Sequence, residues 1–280
     1  MLLPLISAQQ LPIVLMHGIF QSSKDLDNMK RWLEEALPGT YVKNCEVGSG
    51  FWSSVLMPIV AQTARLSECI NSDERLARGF VGIGYSQGGL LMRSYLENYN
   101  HNHYPMKRLI ALASPLAGVY CGDARWCFLV EKLPFFVPAS LAYSTFVQGI
   151  LAVSNYWRDT WHYDKFVARC PLLAALDNMC DFKLQRKENF QSLDRLVVFG
   201  SERDGVIAPW VSAFFGQFAP GSSFKMLSME EREEYREDLF GLRTLHEQGR
   251  LVCIKNQMLH FQYPRNESFV KGDLVSWART

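Results

Sequence analysis

The feature that most limits what this chain can fold into is the stretch Gly79 to Glu97, GFVGIGYSQGGLLMRSYLE. Its opening run, FVGIGY, is apolar or small without polar alternation, as in a strand buried on both faces. It gives way to Gly84-Tyr85-Ser86-Gln87-Gly88-Gly89, and an amphipathic run at helical spacing follows. Glycine at 84 and 88 predicts a turn so tight that the strand and helix meet where side chains would otherwise stand. Ser86, at the tip, is pushed out of the backbone path. A G-x-S-x-G pattern in a strand–turn–helix setting reads as a nucleophile elbow, with the free N–H groups of the new helix facing the space beside the hydroxyl.

The rest of the chain supplies a matching frame. PIVLMHG (12–18), TYVKNCEV (40–47), RLIALASP (108–115), RLVVFG (195–200) and LVCIKN (251–256) read as further strands. DNMKRWLEEAL (27–37), VLMPIVAQTARLSECI (55–70) and GGLLMRSYLENY read as helices, with another expected within 266–279. Unalternating strands separated by helices predict a mostly parallel sheet covered on both faces. The stretch between Pro115 and Arg195 is too long for a plain connection and is rich in aromatic residues. It predicts a mostly helical cap inserted over about 115–194. With the elbow, this pattern is that of an α/β-hydrolase, a single domain over 11–280.

Composition removes several function classes. The formal net charge is +1 and no Lys/Arg block occurs, so nucleic acid is not an expected partner. The mixed-sign run MEEREEYRED (229–238) reads as a solvated face or loop. The most apolar stretch, 128–157, is interrupted by Glu131, Lys132, Pro134 and Pro138, so no membrane span is expected. No C-x-x-C or Cys/His cluster has zinc spacing; no metal and no cofactor are expected.

The seven cysteines include two close pairs, Cys121 and Cys127 in YCGDARWC, and Cys170 and Cys180 around PLLAALDNM. Such spacings suit local disulfides made in the secretory pathway. Residues 1–10 read as the remnant of a secretory signal, and Asn266-Glu267-Ser268 is a glycosylation sequon.

A serine nucleophile needs a base, and the base needs an acid to orient it. On this fold they follow in the order Ser, Asp or Glu, His. His260 lies just past the strand LVCIKN, in QMLHFQYP, and is the candidate base; His162, in RDTWHYD, is its rival. His17 precedes the serine, His101 and His103 lie beyond a helix end, and His246 sits in a charged helical segment. Asp204, just beyond RLVVFG and followed by glycine, is the candidate acid, against Glu202 nearer the strand exit and Asp194 before the strand. The oxyanion donors expected are the backbone N–H groups of Gln87 and of Ile19 in MHGIFQSS.

Taken together, VLMHGIFQSS, GYSQGGLLMR, SNYWRDTWHYD, ERDGVIAPWVSAFFG, FGLRTLHEQGRL and the Leu259-His260 pair resemble the palmitoyl-protein thioesterase family of lysosomal α/β-hydrolases, from about Leu11 to the C-terminus. SPLAGVYCGD, DGVIAPWVSAFFG and GLRTL look closer to the family's second branch, which prefers acyl-CoA-type substrates, than to the first, which deacylates proteins. The resemblance implies Ser86 as nucleophile, Asp204 as acid, His260 as base, Ile19 and Gln87 as oxyanion donors, and a Cys121–Cys127 disulfide. It implies a fatty-acyl thioester substrate, acyl-CoA or an S-acylated protein, and a lysosomal or secreted location. Cys170 and Cys180 match no pair of the family, and YWRDT stands where the family usually has YWHDP. A lipase or carboxylesterase, and an inactive acyl-binding homologue, are the competing readings.

Overall fold

Six strands make the central sheet: β1 (Ile13–Met16), β2 (Val42–Cys45), β3 (Phe80–Tyr85), β4 (Met106–Leu112), β5 (Arg195–Ser201) and β6 (Leu251–Asn256). This computed structural model describes residues 10–100, 103–121, 139–169 and 172–280. The sheet order is β2-β1-β3-β4-β5-β6, and every neighbouring pair is parallel. Successive residues of a strand point to opposite faces. Val14 and Met16 accordingly join a core layer with Leu66, Leu90 and Leu91, while Ile13 and Leu15 join another with Met29, Leu33 and Leu274. Both faces of the sheet are buried, which is why its strands carry no polar alternation.

Helix α1 (Asp27–Ala36) covers the second face; α3 (Ile59–Asn71) and α4 (Gln87–Tyr99) cover the first. The single helix expected over 55–70 is two. The chain forms α2 (Phe51–Leu56), then turns extended at Met57, and α3 starts after Pro58. The proline ring disfavours helical backbone in the residue before it, so the break falls at Met57. The C-terminal helix runs through Glu267–Phe269, a π-wound turn at Val270–Leu274, and Val275–Ala278.

Between β4 and β5, the described residues form α5 (Ala139–Ala142), α6 (Thr145–Ile150), α7 (Tyr163–Arg169), α8 (Leu173–Leu176) and α9 (Leu184–Gln191). Two short helices, α10 (Glu233–Arg236) and α11 (Leu242–Glu247), precede β6. A buried ionic network ties this region to α4. Arg93 donates to Glu97 at 2.7 Å and to Asp177 at 2.9 Å, and Asp177 also accepts from Arg158 at 2.8 Å and Arg232 at 3.1 Å. Glu234 accepts from Arg232 and Arg158. The run 229–238 is therefore not simply a solvated face: Arg232 and Glu234 are buried because their partners arrive from distant segments.

Two expectations about cysteine change. Cys45, at the end of β2, is bonded to Cys69 on α3, a pairing that no short spacing announces. Cys180 carries a free, exposed thiol, so no Cys170–Cys180 bridge forms. Between those positions α8 buries Leu173 to Leu176, and Asn178 turns the chain at φ 54° while its amide donates to the Leu239 carbonyl. That turn, not the ten-residue spacing, sets where Cys180 emerges. Cys121 is disulfide-bonded. Cys127 and Cys170 lie outside the described residues, as do residues 1–9.

Candidate active site

β3 ends at Tyr85 and α4 begins at Gln87, leaving Ser86 alone between them with φ 54° and ψ −127°. A non-glycine residue held there costs about 1–3 kcal/mol, so the surroundings must enforce it. They do so by proximity. A Cβ on Gly84 would lie 2.4 Å from the Cα of Gly89, and one on Gly88 would lie 2.1 Å from the Met16 carbonyl oxygen. Helix and sheet touch through bare backbone, and the serine is what projects.

The strand ends bring the partners to it. Asp204 follows β5 and His260 follows β6, on the same C-terminal edge of the sheet where β3 delivers Ser86. That edge is where open parallel sheets bind ligands. Ser86 Oγ lies 3.0 Å from His260 Nε2, and His260 Nδ1 lies 2.8 Å from Asp204 Oδ2. The other Asp204 oxygen accepts from the Val206 and Ile207 N–H groups at 3.0 and 2.7 Å. The His260 N–H donates to the Asp204 carbonyl at 3.0 Å, and Tyr85 Oη donates to the His260 carbonyl at 3.2 Å. All three side chains are buried. The rivals are elsewhere engaged. His162 pairs with Asp159 at 2.9 Å, Glu202 pairs with Lys255, and Asp194 precedes β5 at the opposite edge.

Ile19 and Gln87 flank the same hydroxyl. A Cβ on Gly18 would stand 2.9 Å from the Ser86 Cβ, so the loop after β1 lies directly against the serine. Neither the Ile19 nor the Gln87 N–H has an acceptor among the described residues. Gln87 opens α4, where helix geometry leaves the N–H groups unpaired. Its side chain is locked: Nε2 donates to the Ser54 carbonyl at 2.9 Å and to Gln62 at 3.2 Å, while Oε1 accepts from Tyr156 Oη at 2.9 Å.

Gln62, Tyr156 and Glu46 did not stand out in the sequence. Glu46 Oε1 lies 2.7 Å from His17 Nε2. Its only sequence cue is its place after β2, level with the end of β1.

The cleft over Ser86 is walled by Ile19, Phe20, Val206 and Phe261, with Asp25 and Arg265 at charged positions. Phe20 meets Phe51 at 5.8 Å between ring centroids, and Phe51 meets Trp52 at 5.2 Å. Trp52 is 66% exposed, so an aromatic path leads from the cleft to the surface. Among the described residues no group of His, Cys, Asp and Glu is arranged to hold a metal, and no helix is long and apolar enough to cross a membrane.

The parallel sheet and the serine elbow at its C-terminal edge define an α/β-hydrolase. Within that class the family is set by sequence. The family model for palmitoyl protein thioesterase matches residues 12–260. Palmitoyl-protein thioesterase 3 of Dictyostelium discoideum is 32% identical, covering 93% of this chain and 88% of its own. Lysosomal thioesterase PPT2-B of Xenopus laevis is 31% identical, over 99% of this chain and 98% of its own. Palmitoyl-protein thioesterase 1 of Caenorhabditis elegans is 30% identical, over 96% and 92%. The chain belongs to the palmitoyl protein thioesterase family, a family of thioester hydrolases. These identities do not separate its branches.

Proposed function

We propose that the protein hydrolyses fatty-acyl thioesters through an acyl-enzyme on Ser86. The observation that carries this reading is the Ser86–His260–Asp204 chain of contacts at 3.0 and 2.8 Å, in a member of a thioesterase family. His260 Nε2 takes the Ser86 proton as Oγ attacks the thioester carbonyl. Asp204 holds Nδ1–H, so that Nε2 is the lone pair facing the serine, and it stabilises the imidazolium that forms. The carbonyl oxygen gains charge against the Ile19 and Gln87 N–H groups. The C–S bond breaks, and the leaving sulfur takes the proton back from the His260 imidazolium, which restores the neutral ring. Water, deprotonated by the same imidazole, then frees the fatty acid.

The apolar wall and the Phe20–Phe51–Trp52 path support an acyl chain as the part bound. The helices between β4 and β5, within the segment 115–194, act as a cap over that side; Tyr156 reaches from it to Gln87. The Cys45–Cys69 bond and the bonded Cys121 suit the secretory pathway, the relatives' names suggest the lysosome, and Asn266 is the glycosylation candidate.

A matched set of substrates tests the reading: palmitoyl-CoA, an S-palmitoylated peptide, and the corresponding oxygen ester. Turnover of either thioester well above the oxygen ester, abolished in Ser86→Ala, is expected. Preference for the oxygen ester would make the protein a carboxylesterase with the same relay. Full activity in Ser86→Ala would overturn the mechanism.

A further inference from the structure

We infer that Glu46 is a positioning residue for acyl transfer, clamping both ends of the loop that carries the Ile19 N–H and fixing His17 behind it. This rests on the oxyanion role proposed for Ile19.

One carboxylate reaches both sides of that loop. Glu46 Oε1 is 2.7 Å from His17 Nε2, and Oε2 accepts from the Ser23 N–H at 2.8 Å. His17 precedes Gly18 and Ile19, and Ser23 closes the turn after Phe20, Gln21 and Ser22. The loop is braced inside as well, by Gly18 N–H donating to Gln21 Oε1 at 3.0 Å. Phe20 is held at φ 60°, a conformation that needs such enforcement. The carboxylate itself sits on fixed ground. Met16 and Cys45 are paired in the β1–β2 register, Cys45 is bonded to Cys69, and Glu46 Oε1 also accepts from the Val47 N–H at 2.8 Å.

The partners of His17 are chemically one-sided. Nδ1 lies 2.9 Å from the Gly18 carbonyl oxygen and Nε2 faces the Glu46 carboxylate. Both are oxygen acceptors on fixed backbone or a fixed carboxylate, so the ring is held from both of its nitrogens. The His17 side chain has no exposure to solvent. Burial alone would raise the Glu46 carboxyl; the bonds from His17, Ser23 and Val47 outweigh it and hold the group down at about 2. The clamp therefore stays ionised in an acidic compartment.

The test separates oxyanion geometry from general structure. Glu46→Gln and Ser23→Pro each remove part of the clamp, and the second leaves the charge in place. Ser22 is already extended and proline is tolerated at the start of a helical turn, so the Ser23 variant keeps the fold. In Glu46→Gln, kcat on an acyl thioester should fall about tenfold to hundredfold with KM within about threefold. Ser23→Pro should show a smaller loss of the same kind. An acyl trifluoromethyl ketone, which forms an oxyanion on Ser86, should lose affinity in step with kcat. An acyl thioether of the same length, with no carbonyl, should bind as before. Equal loss for both inhibitors, or an unchanged kcat in both variants, would overturn the inference. If Ser86→Ala is inactive while the clamp variants are unaffected, the acyl-transfer reading stands and only this inference fails.

Discussion

The Cα of Gly88 faces the Met16 carbonyl so closely that a Cβ there would stand 2.1 Å from its oxygen and 2.6 Å from the His17 oxygen. The start of α4 and the end of β1 are thus in backbone contact, and between them they carry Ser86, Gln87 and Ile19. A methyl group at Gly88 must push apart the two elements that aim the proposed reacting groups. Gly88→Ala should cost about 1–3 kcal/mol of stability and about a hundredfold in kcat, read by thermal melting and thioester turnover. Gly149, inside α6, has nothing within 4 Å of the same position. Gly149→Ala should be neutral or slightly stabilising, so equal losses at both glycines would remove the argument from contact.

Asp204→Asn isolates the orienting role of the acid. The amide oxygen can still accept from the Val206 and Ile207 N–H groups, so the loop should keep its shape. Its NH2 group then faces His260 Nδ1 and donates to it. That leaves the ring proton on Nε2, pointed at Ser86 Oγ, where it cannot accept the serine proton. A fall of about 10⁴ in kcat is expected, with an unchanged melting temperature. A loss below tenfold would mean that another group orients His260.

Much of this architecture was legible because it depends on local pattern. Buried parallel strands read as unalternating runs, and the elbow reads as glycines around Ser86. Asp204 and His260 could be chosen because each follows a strand, and all parallel strands deliver their ends to one edge. What the pattern did not show was pairing across distance. Cys45 and Cys69 are 24 residues apart and meet only because α3 packs beside β2. The charges of 229–238 looked solvated, yet Glu234 is buried against Arg158, whose own place in YWRDT had no visible purpose. The two-helix form of 51–71 was announced by Pro58, but the apolar spacing runs through it. Glu46 belongs to the same class, since its partners come from another strand and the turn beyond it.

The Cys45–Cys69 bond closes a loop that contains α2, whose Ser54 carbonyl holds the Gln87 side chain. Cross-linking a loop of that length lowers the entropy of the unfolded chain by the equivalent of about 3 kcal/mol. Cys45→Ala with Cys69→Ala should lower stability by about that amount in urea titrations without reductant. Adding reductant to the unaltered protein should lower its stability by at least as much, because the bond at Cys121 opens as well. No difference between the variant and the unaltered protein would show that the bond does not form.

Glu97 gives the fold a pH response of definite sign. It is buried on α4 with Arg93 at 2.7 Å from Oε1, while Oε2 finds no partner among the described residues. Complete burial raises the carboxyl from its ordinary 4.5 to about 8, outweighing the attraction of Arg93. Below pH 4.5 folded and unfolded chains both hold the proton. Between 4.5 and 8 the unfolded chain releases it and the folded chain keeps it, so stability falls as pH rises, and above 8 the contribution is gone. The carboxyls of Glu46 and Glu234 are held low, so their effects fall at more acid pH than this window. The urea midpoint should be higher at pH 5 than at pH 8, by on the order of a few kcal/mol in stability. Glu97→Gln keeps an oxygen for Arg93 and puts a neutral NH2 where the proton sits, so its midpoint should vary much less with pH. Equal pH dependence in the two proteins would place the proton elsewhere.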